Sequence, residues 1–285
     1  MKATRLQLRR KLTGRIMGAL AYLAAAAAVL PLLLVFGYLL LKGASSVNLD
    51  FFLHMPRPVG VPGGGMANAI IGTLMLVGVA SLLGVPIGIG AGMYLAEHGN
   101  APLATSVRFL ADVLNGLPSI VIGIFAWQLL VRPVGHFSAA AGGIALGLMM
   151  IPTVTRTTEE MVLTVPTALR EAALALGYAR WRTALRIVLP TALGGVITGV
   201  LIAVARVAGE TAPLLFTSLG NQFWSVSLTQ PISAIPLQVF NYAISAYDEL
   251  HAQAWAGAVV LIALVLVISL GARAVVGRGF ARGND

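Results

Sequence analysis

The 285-residue chain is 58% hydrophobic and only 10% charged, with a mean hydropathy of +0.89. A soluble domain carries roughly 25% charged residues, so there is too little polar surface to solvate a globule of this size, and a lipid bilayer must solvate most of it. Cysteine is absent, which excludes a disulfide framework, a thiol nucleophile and a cysteine-ligated metal, and the net charge of +9 suggests nucleic acid only until the charges are placed.

In chain order, residues 1–15 form a basic segment with Lys2, Arg5, Arg9, Arg10, Lys11 and Arg15. An apolar run over 16–41 follows. A secretory signal core has roughly 7–15 residues, and this run is longer, so it reads as an uncleaved first transmembrane helix. With its outer loop it fills 16–67. Within that loop MPRPVGVPGGG, residues 55–65, is too rich in proline and glycine to be helical. A second span is expected over 68–96, where Gly84, Gly88 and Gly92 follow Ala80 at four-residue steps and let another helix approach closely. The GIGAG fragment there is not a dinucleotide fingerprint, because its glycine spacing is wrong and no strand precedes it. A third span is expected over 106–131, with Asp112 and Asn115 as a polar cluster suited to a gate or to packing. A fourth covers 139–155 and can run past Arg156 by snorkelling. Gly142, Gly143 and Gly147 read as packing residues in it. The fifth and sixth spans are expected over 191–219 and 251–272. Between them, 220–250 contains the interface aromatics Trp224, Tyr242 and Tyr247, and 232–246 has helical spacing suited to lying along the membrane surface. A tail covers 274–285. His54, His98, His136 and His251 are scattered with no metal-ligand spacing. Each span exceeds or approaches the roughly 20 residues needed to cross a hydrocarbon core, and the fold class is all-α integral membrane with six transmembrane helices.

With the N-terminus inside, fifteen Lys and Arg fall in the inner segments, against Lys42, Arg57 and Arg132 outside. This positive-inside bias places both termini and the 156–190 loop in the cytoplasm. It also explains the +9 by topology and contact with anionic lipid, without nucleic acid. No GxxxxGK[ST] phosphate loop occurs, so the chain contains no ATPase of that kind.

Residues 171–190 read EAALALGYARWRTALRIVLP, a charged island between apolar stretches. EAALAL is strong helix-forming sequence, and Gly177 permits a bend that a bulkier residue resists. Helical spacing resumes from Trp181, with Trp181, Leu185, Val188 and Leu189 on one face and Arg180, Arg182 and Arg186 on the other. Pro190 is expected to begin the next span, where its missing N–H is harmless. A projecting amphipathic helix is a suitable docking knob, although a charged loop lying on the bilayer has the same composition.

Glu171, Ala172 and Ala173, then Gly177, Ile187, Leu189 and Pro190, match the EAA signature of permease subunits of bacterial type I ABC importers at each of its marked positions. LNGLPSIVIGIF (114–125), MMIPTVTRTTEEM (149–161) and ARVAGETAPLLFT (205–217) further resemble phosphate permeases of the PstA type, GETAPLLFT most specifically. The resemblance implies a permease core over 68–273 and a cytoplasmic helix–turn–helix seated in a separate ATPase. The implied partners are a homologous permease of the PstC type, two copies of a PstB-type P-loop ATPase, and a periplasmic phosphate-binding protein of the PstS type. The implied location is the bacterial inner membrane, and the chain itself carries out no covalent chemistry and needs no cofactor.

The residues themselves fit an anionic cargo. Arg206 falls within the fifth apolar stretch, where an arginine costs about 2.5–3.5 kcal/mol and therefore faces a cavity or a partner. Glu210, four residues on, is expected on the same helical face. The two read either as mutually neutralising or as a pore-facing arginine that attracts phosphate. Arg156, with Glu159 and Glu160, is expected near the cytoplasmic mouth, as an inner-gate ion pair or a snorkelling residue. A permease for sulfate or molybdate remains open, as does an ion-coupled secondary transporter. The latter needs no EAA loop and often shows inverted repeats, which are absent. An intramembrane enzyme is disfavoured, since the spans contain no nucleophile–base pair.

Overall fold

In the computed structural model, which describes residues 5–61, 63–99 and 101–281, the apolar stretches are helical and no β-strand forms among the described residues. Lys2 and Arg282 lie outside the described residues, as do the ends of the expected basic segment and tail. Helix α1 (Arg5–Gly43) leads to the short α2 (Leu49–Leu53). Asn48 caps α2 by accepting a hydrogen bond from the Phe51 N–H at 2.9 Å. The proline- and glycine-rich segment after it forms no helix among its described residues, as expected.

The centre of the chain is built on α3 (Ala67–Glu97) and α7 (Ala139–Leu163). The glycine steps of α3 pack against α7. A Cβ on Gly84 would lie 2.9 Å from Met150, one on Gly88 2.6 Å from Val154, and one on Gly92 2.5 Å from the Thr155 carbonyl. Gly143 and Gly147 of α7 answer with close contacts to Val79 and Ala80. Bare backbone therefore lets the two axes approach, and Leu76, Ala80, Leu146, Met150 and Val154 fill the buried core around the seam. The α7 helix runs through Arg156 to Leu163, so the fourth span does extend past that arginine.

Two expected spans are broken. The third divides into α4 (Pro102–Gly116) and α5 (Ser119–Ala126), continued by a wide π turn (Trp127–Val131) and α6 (Arg132–Val134), with a bend of 106° at the break. Leu117 precedes Pro118, and proline excludes the helical region for the residue before it. Both residues are extended, with ψ of 137° and 136°.

The fifth expected span begins earlier and ends earlier than 191–219. After α8 (Thr167–Ala175), helix α9 (Arg180–Thr183), a π turn (Ala184–Val188) and α10 (Leu189–Ala208) form one continuous rod over Arg180–Ala208. Pro190 therefore lies inside a helix and does not start one. It cannot donate to residue 186, and the wide turn just before it, with Leu189 N–H bonded to the Ala184 carbonyl, absorbs the fault. At the other end, Pro213 would clash with the Gly209 carbonyl in an unbroken helix. The chain breaks at Gly209–Thr211 and resumes as α11 (Ala212–Thr217). The connection that follows carries α12 (Ile235–Ala243), within the expected 232–246, before the last span α13 (Asp248–Ala281). The C-terminal part of α1 meets α13, where Tyr38 stacks edge-on against Trp255 at 5.3 Å. Elsewhere the apolar length of α1 is uncovered by this chain.

Candidate functional site

The loop at 167–190 has the shape its sequence suggests. Helix α8 ends in a left-handed glycine, Gly177, at φ +82°. The Tyr178 N–H bonds the Ala173 carbonyl at 3.1 Å, and the Gly177 N–H bonds the Leu174 carbonyl at 2.9 Å. These two bonds satisfy carbonyls left over at the helix end, and only the glycine backbone adopts the required φ without strain. Space beside Gly177 is open, so its role is conformational. Glu171 and Ala172 are exposed and Ala173 is buried, while Ile187 and Leu189 are half-buried and Pro190 is exposed. Leu176, Tyr178, Trp181 and Leu185 form a run of exposed apolar residues along the loop, Leu176 at 79%. Val188, expected on the same face, is instead fully buried. Beside this run, Met93, Tyr94, Glu97, Trp181 and Leu185 line a cleft of about 460 Å³. Arg170 anchors α8 to the end of α3 through an ion pair with Glu97, and donates to the Val162 carbonyl at 3.1 Å.

Arg156 lies in a polar ladder between α4 and α7. Arg108 donates to Glu159 Oε1 at 2.6 Å, and Arg156 donates to Glu159 Oε2 at 2.6 Å and pairs with Asp112 at 3.1 Å. One rung further, the Thr153 hydroxyl donates to Asn115 Oδ1 at 3.1 Å. Residues 108, 112 and 115 lie on one face of α4, and 153, 156 and 159 on one face of α7, because both sets repeat at three or four residues. Glu159 is buried, at 3% exposure, and its charge is matched by two guanidinium groups. The sequence points to Arg156 with Glu159 and to Asp112 and Asn115, whereas Arg108 enters it only as one of the fifteen basic residues counted on the inner side. The helical spacing of 108, 112 and 115 was the available clue. Glu160, the other carboxylate named beside Arg156, is exposed.

Arg206 and Glu210 do not share a helical face. Arg206 lies in the last turn of α10, exposed on this chain, and Glu210 lies beyond the helix in the break. No ion pair joins them among the described residues. The Glu210 N–H instead closes the terminal turn on the Val207 carbonyl at 3.2 Å. The break thus leaves an arginine and a carboxylate, neither in an ion pair among the described residues, at an interruption of a transmembrane rod. Arg156 belongs to a different place. Its neighbour Thr157 packs on Gly199, about 10 Å along α10 from Arg206.

These features define a class: a multi-pass helical membrane protein with an exposed, glycine-hinged loop and a charged helix break. Residues 84–278 match the family described as binding-protein-dependent transport system inner membrane component. The chain is 47% identical to the phosphate transport system permease protein PstA of Yersinia pestis, over 82% of its own length and 80% of that protein. It superimposes on a chain of a bacterial ABC transporter involved in the import of the acidic polysaccharide alginate, with TM-score 0.67 and 16% identity, covering 94% of this chain and 99% of that one. An inward-facing MetNI methionine ABC transporter chain matches with TM-score 0.63 and 21% identity, over 74% and 94%. At these identities the two structures bear on the fold alone. The chain belongs to the binding-protein-dependent ABC importer permease family, alongside the permeases called PstA.

Proposed function

We propose that the chain is the membrane-spanning subunit of an ATP-driven importer of inorganic phosphate. The observation that carries this reading is the projecting 167–190 loop, with its left-handed hinge and exposed Leu176, Tyr178, Trp181 and Leu185, in a chain 47% identical to a phosphate permease. Apolar surface in such a loop needs a protein cover, and a separate P-loop ATPase of the PstB type supplies it, seated over Glu171, Ala172, Ala173, Gly177, Ile187, Leu189 and Pro190. Two such ATPases act on this chain and a homologous PstC-type permease, and a periplasmic PstS-type protein delivers phosphate. The termini and the loop face the cytoplasm of a bacterium, across its inner membrane.

In this reading Arg206 attracts the anion at the helix break, since its planar fork suits an oxyanion. Glu210 accepts a hydrogen bond from the proton that phosphate retains near neutral pH and repels sulfate, which retains none. Arg156 acts at the inner mouth. The test is radiolabelled phosphate uptake by proteoliposomes holding both permeases, the ATPase and the binding protein. Uptake requires ATP, and Arg206→Gln abolishes it with assembly intact, while Arg206→Lys recovers part of it. Gly177→Trp strains the hinge and releases the ATPase, read as loss of co-purification with membrane insertion preserved. Uptake without ATP, or wild-type phosphate flux through Arg206→Gln, would overturn the coupling or the anion role respectively.

A further inference from the structure

At the outer end of α11 a pocket of about 220 Å³ is lined by Asn221, Gln222, Ser233, Gln238, Asn241 and Tyr242, with Leu219 and Gly220 at its edge. No charged side chain lines it. Its deep wall is built and oriented: Ser233, Gln238 and Tyr242 are all under 9% exposed. Gln238 accepts from the Ser233 hydroxyl at 3.2 Å and donates to the Tyr242 oxygen at 2.9 Å. That arrangement leaves the Tyr242 O–H and the second Gln238 N–H as donors. Burial pushes the Tyr242 phenol up, against the opposing effect of its bond from Gln238, so the group keeps its proton near neutral pH. Gln222 and Asn241 add exposed amides, each with both a donor and an acceptor.

The backbone beside the pocket is strained. Leu219, at φ +60°, is the one non-glycine residue with positive φ among the described residues, and Gly220 follows at +91°. A bulky side chain in this region is an outlier that persists only when its surroundings impose it, and such outliers gather at ligand clamps. Here the Ser218 hydroxyl, bonded to the Ile232 carbonyl at 2.5 Å, and the Leu219–Ile232 bridge impose it. Behind the wall, Asn68 donates to the Asn221 carbonyl at 2.8 Å while its own side-chain oxygen is buried without a partner. Helix α11, about 9 Å long, carries this pocket at one end and the Arg206–Glu210 break at the other.

We propose that this pocket is the outer subsite of the permeation path, holding a protonated oxyanion among neutral donors and acceptors before it reaches Arg206. The proposal rests on the importer reading above. Phosphate near neutral pH offers P–O⁻ acceptors to the Tyr242, Gln238 and amide donors, and a P–OH donor to the amide oxygens. Sulfate leaves those oxygens facing a like charge. A lipid phosphodiester has no P–OH, and its two substituents overfill the volume. Without a cation the site binds weakly, as a transit site must if the ion is to move on.

The chain has no native cysteine, which allows a direct test in the assembled transporter in proteoliposomes. Asn241→Cys is labelled with an impermeant maleimide from the outer side, in the presence of inorganic phosphate, sulfate or glycerophosphocholine. Phosphate alone is expected to slow the labelling severalfold. Phe223→Cys, on the same loop but outside the pocket, is expected to label at one rate in all three. Absence of phosphate protection, equal protection by sulfate, or protection by the phosphodiester would each overturn the subsite. In the same vesicles Asn241→Asp is expected to lower phosphate uptake about tenfold by adding a like charge. Wild-type uptake with neither protection nor an Asn241→Asp effect would sink the subsite and leave the importer reading standing. Protection is read without transport, so failure of wild-type uptake would count against the importer reading alone.

Discussion

Helix α7 presents two different interfaces. Against α3 it is dry and steric: glycine backbones interlock, and a single methyl on Gly88 would come within 2.6 Å of Val154. Against α4 it is polar and graded, from Glu159 with 4% of its side chain exposed to Asp112 with 55%. The first interface is specified by volume, which admits no partial solution. The second is specified by charge, and its strength depends on how much water each rung meets. One face therefore holds the bundle together whatever the solvent, while the other responds to salt and neighbouring charge.

The seam is the place to break this contrast first. Gly88→Leu is expected to have the largest effect, because Val154 and the Ile151 carbonyl both hold fixed positions. Extra methylenes in a packed core typically cost about 1–3 kcal/mol, and here every added carbon is excess, so the cost lies above that range. The measurement is the yield and thermal stability of the detergent-purified permease. Gly90→Leu, two residues along on the open side of α3 where nothing lies within 4 Å, is the control and is expected to match wild type. Equal behaviour of the two variants would mean that the glycine seam does not hold the core.

Next comes the closed end of the ladder. Glu159→Gln keeps the shape but removes the carboxylate that Arg108 and Arg156 share. Breaking a buried pair by removing one partner costs on the order of 3 kcal/mol. A fall in thermal stability is expected, smaller than that of Gly88→Leu. Adding Arg108→Gln to Glu159→Gln is expected to recover part of the loss, since one stranded cation is removed. Strict additivity of the two changes would show that they do not interact.

The two interfaces differ in how far the sequence revealed them. Glycines four apart state a close approach by themselves, so the two faces of the α3–α7 seam were legible from spacing, though not that they pack on each other. The hinge at Gly177 was legible for the same reason, since only glycine suits a left-handed turn. The ladder was not, because each rung needs a partner on another helix and spacing gives no pairing. The two broken spans were hidden by hydropathy, which stays high through Leu117–Pro118 and through Gly209–Pro213. Proline was no guide either, since Pro31, Pro86 and Pro152 lie inside unbroken helices. The expected Arg206–Glu210 pairing failed with the helix, because an i,i+4 contact requires the turn between them to continue.

The open end of the ladder sharpens the contrast by its small size. Asp112 pairs with the Arg156 Nε at 3.1 Å, but more than half of its side chain is in contact with solvent. Water already screens both charges, and Arg156 keeps Glu159 as a second, buried partner when Asp112 is neutralised. Pairs this exposed are worth about 0.2–1 kcal/mol. Asp112→Asn is therefore expected to lower thermal stability far less than Glu159→Gln, and added salt should shrink the difference from wild type further. Glu159→Gln should keep most of its deficit at the same ionic strength, because its carboxylate is buried. The decisive comparison is the two melting temperatures at low and high salt. If Asp112→Asn destabilises as much as Glu159→Gln at high salt, the gradient along the ladder does not follow exposure, and the division of α7 into a steric face and a graded polar face is wrong.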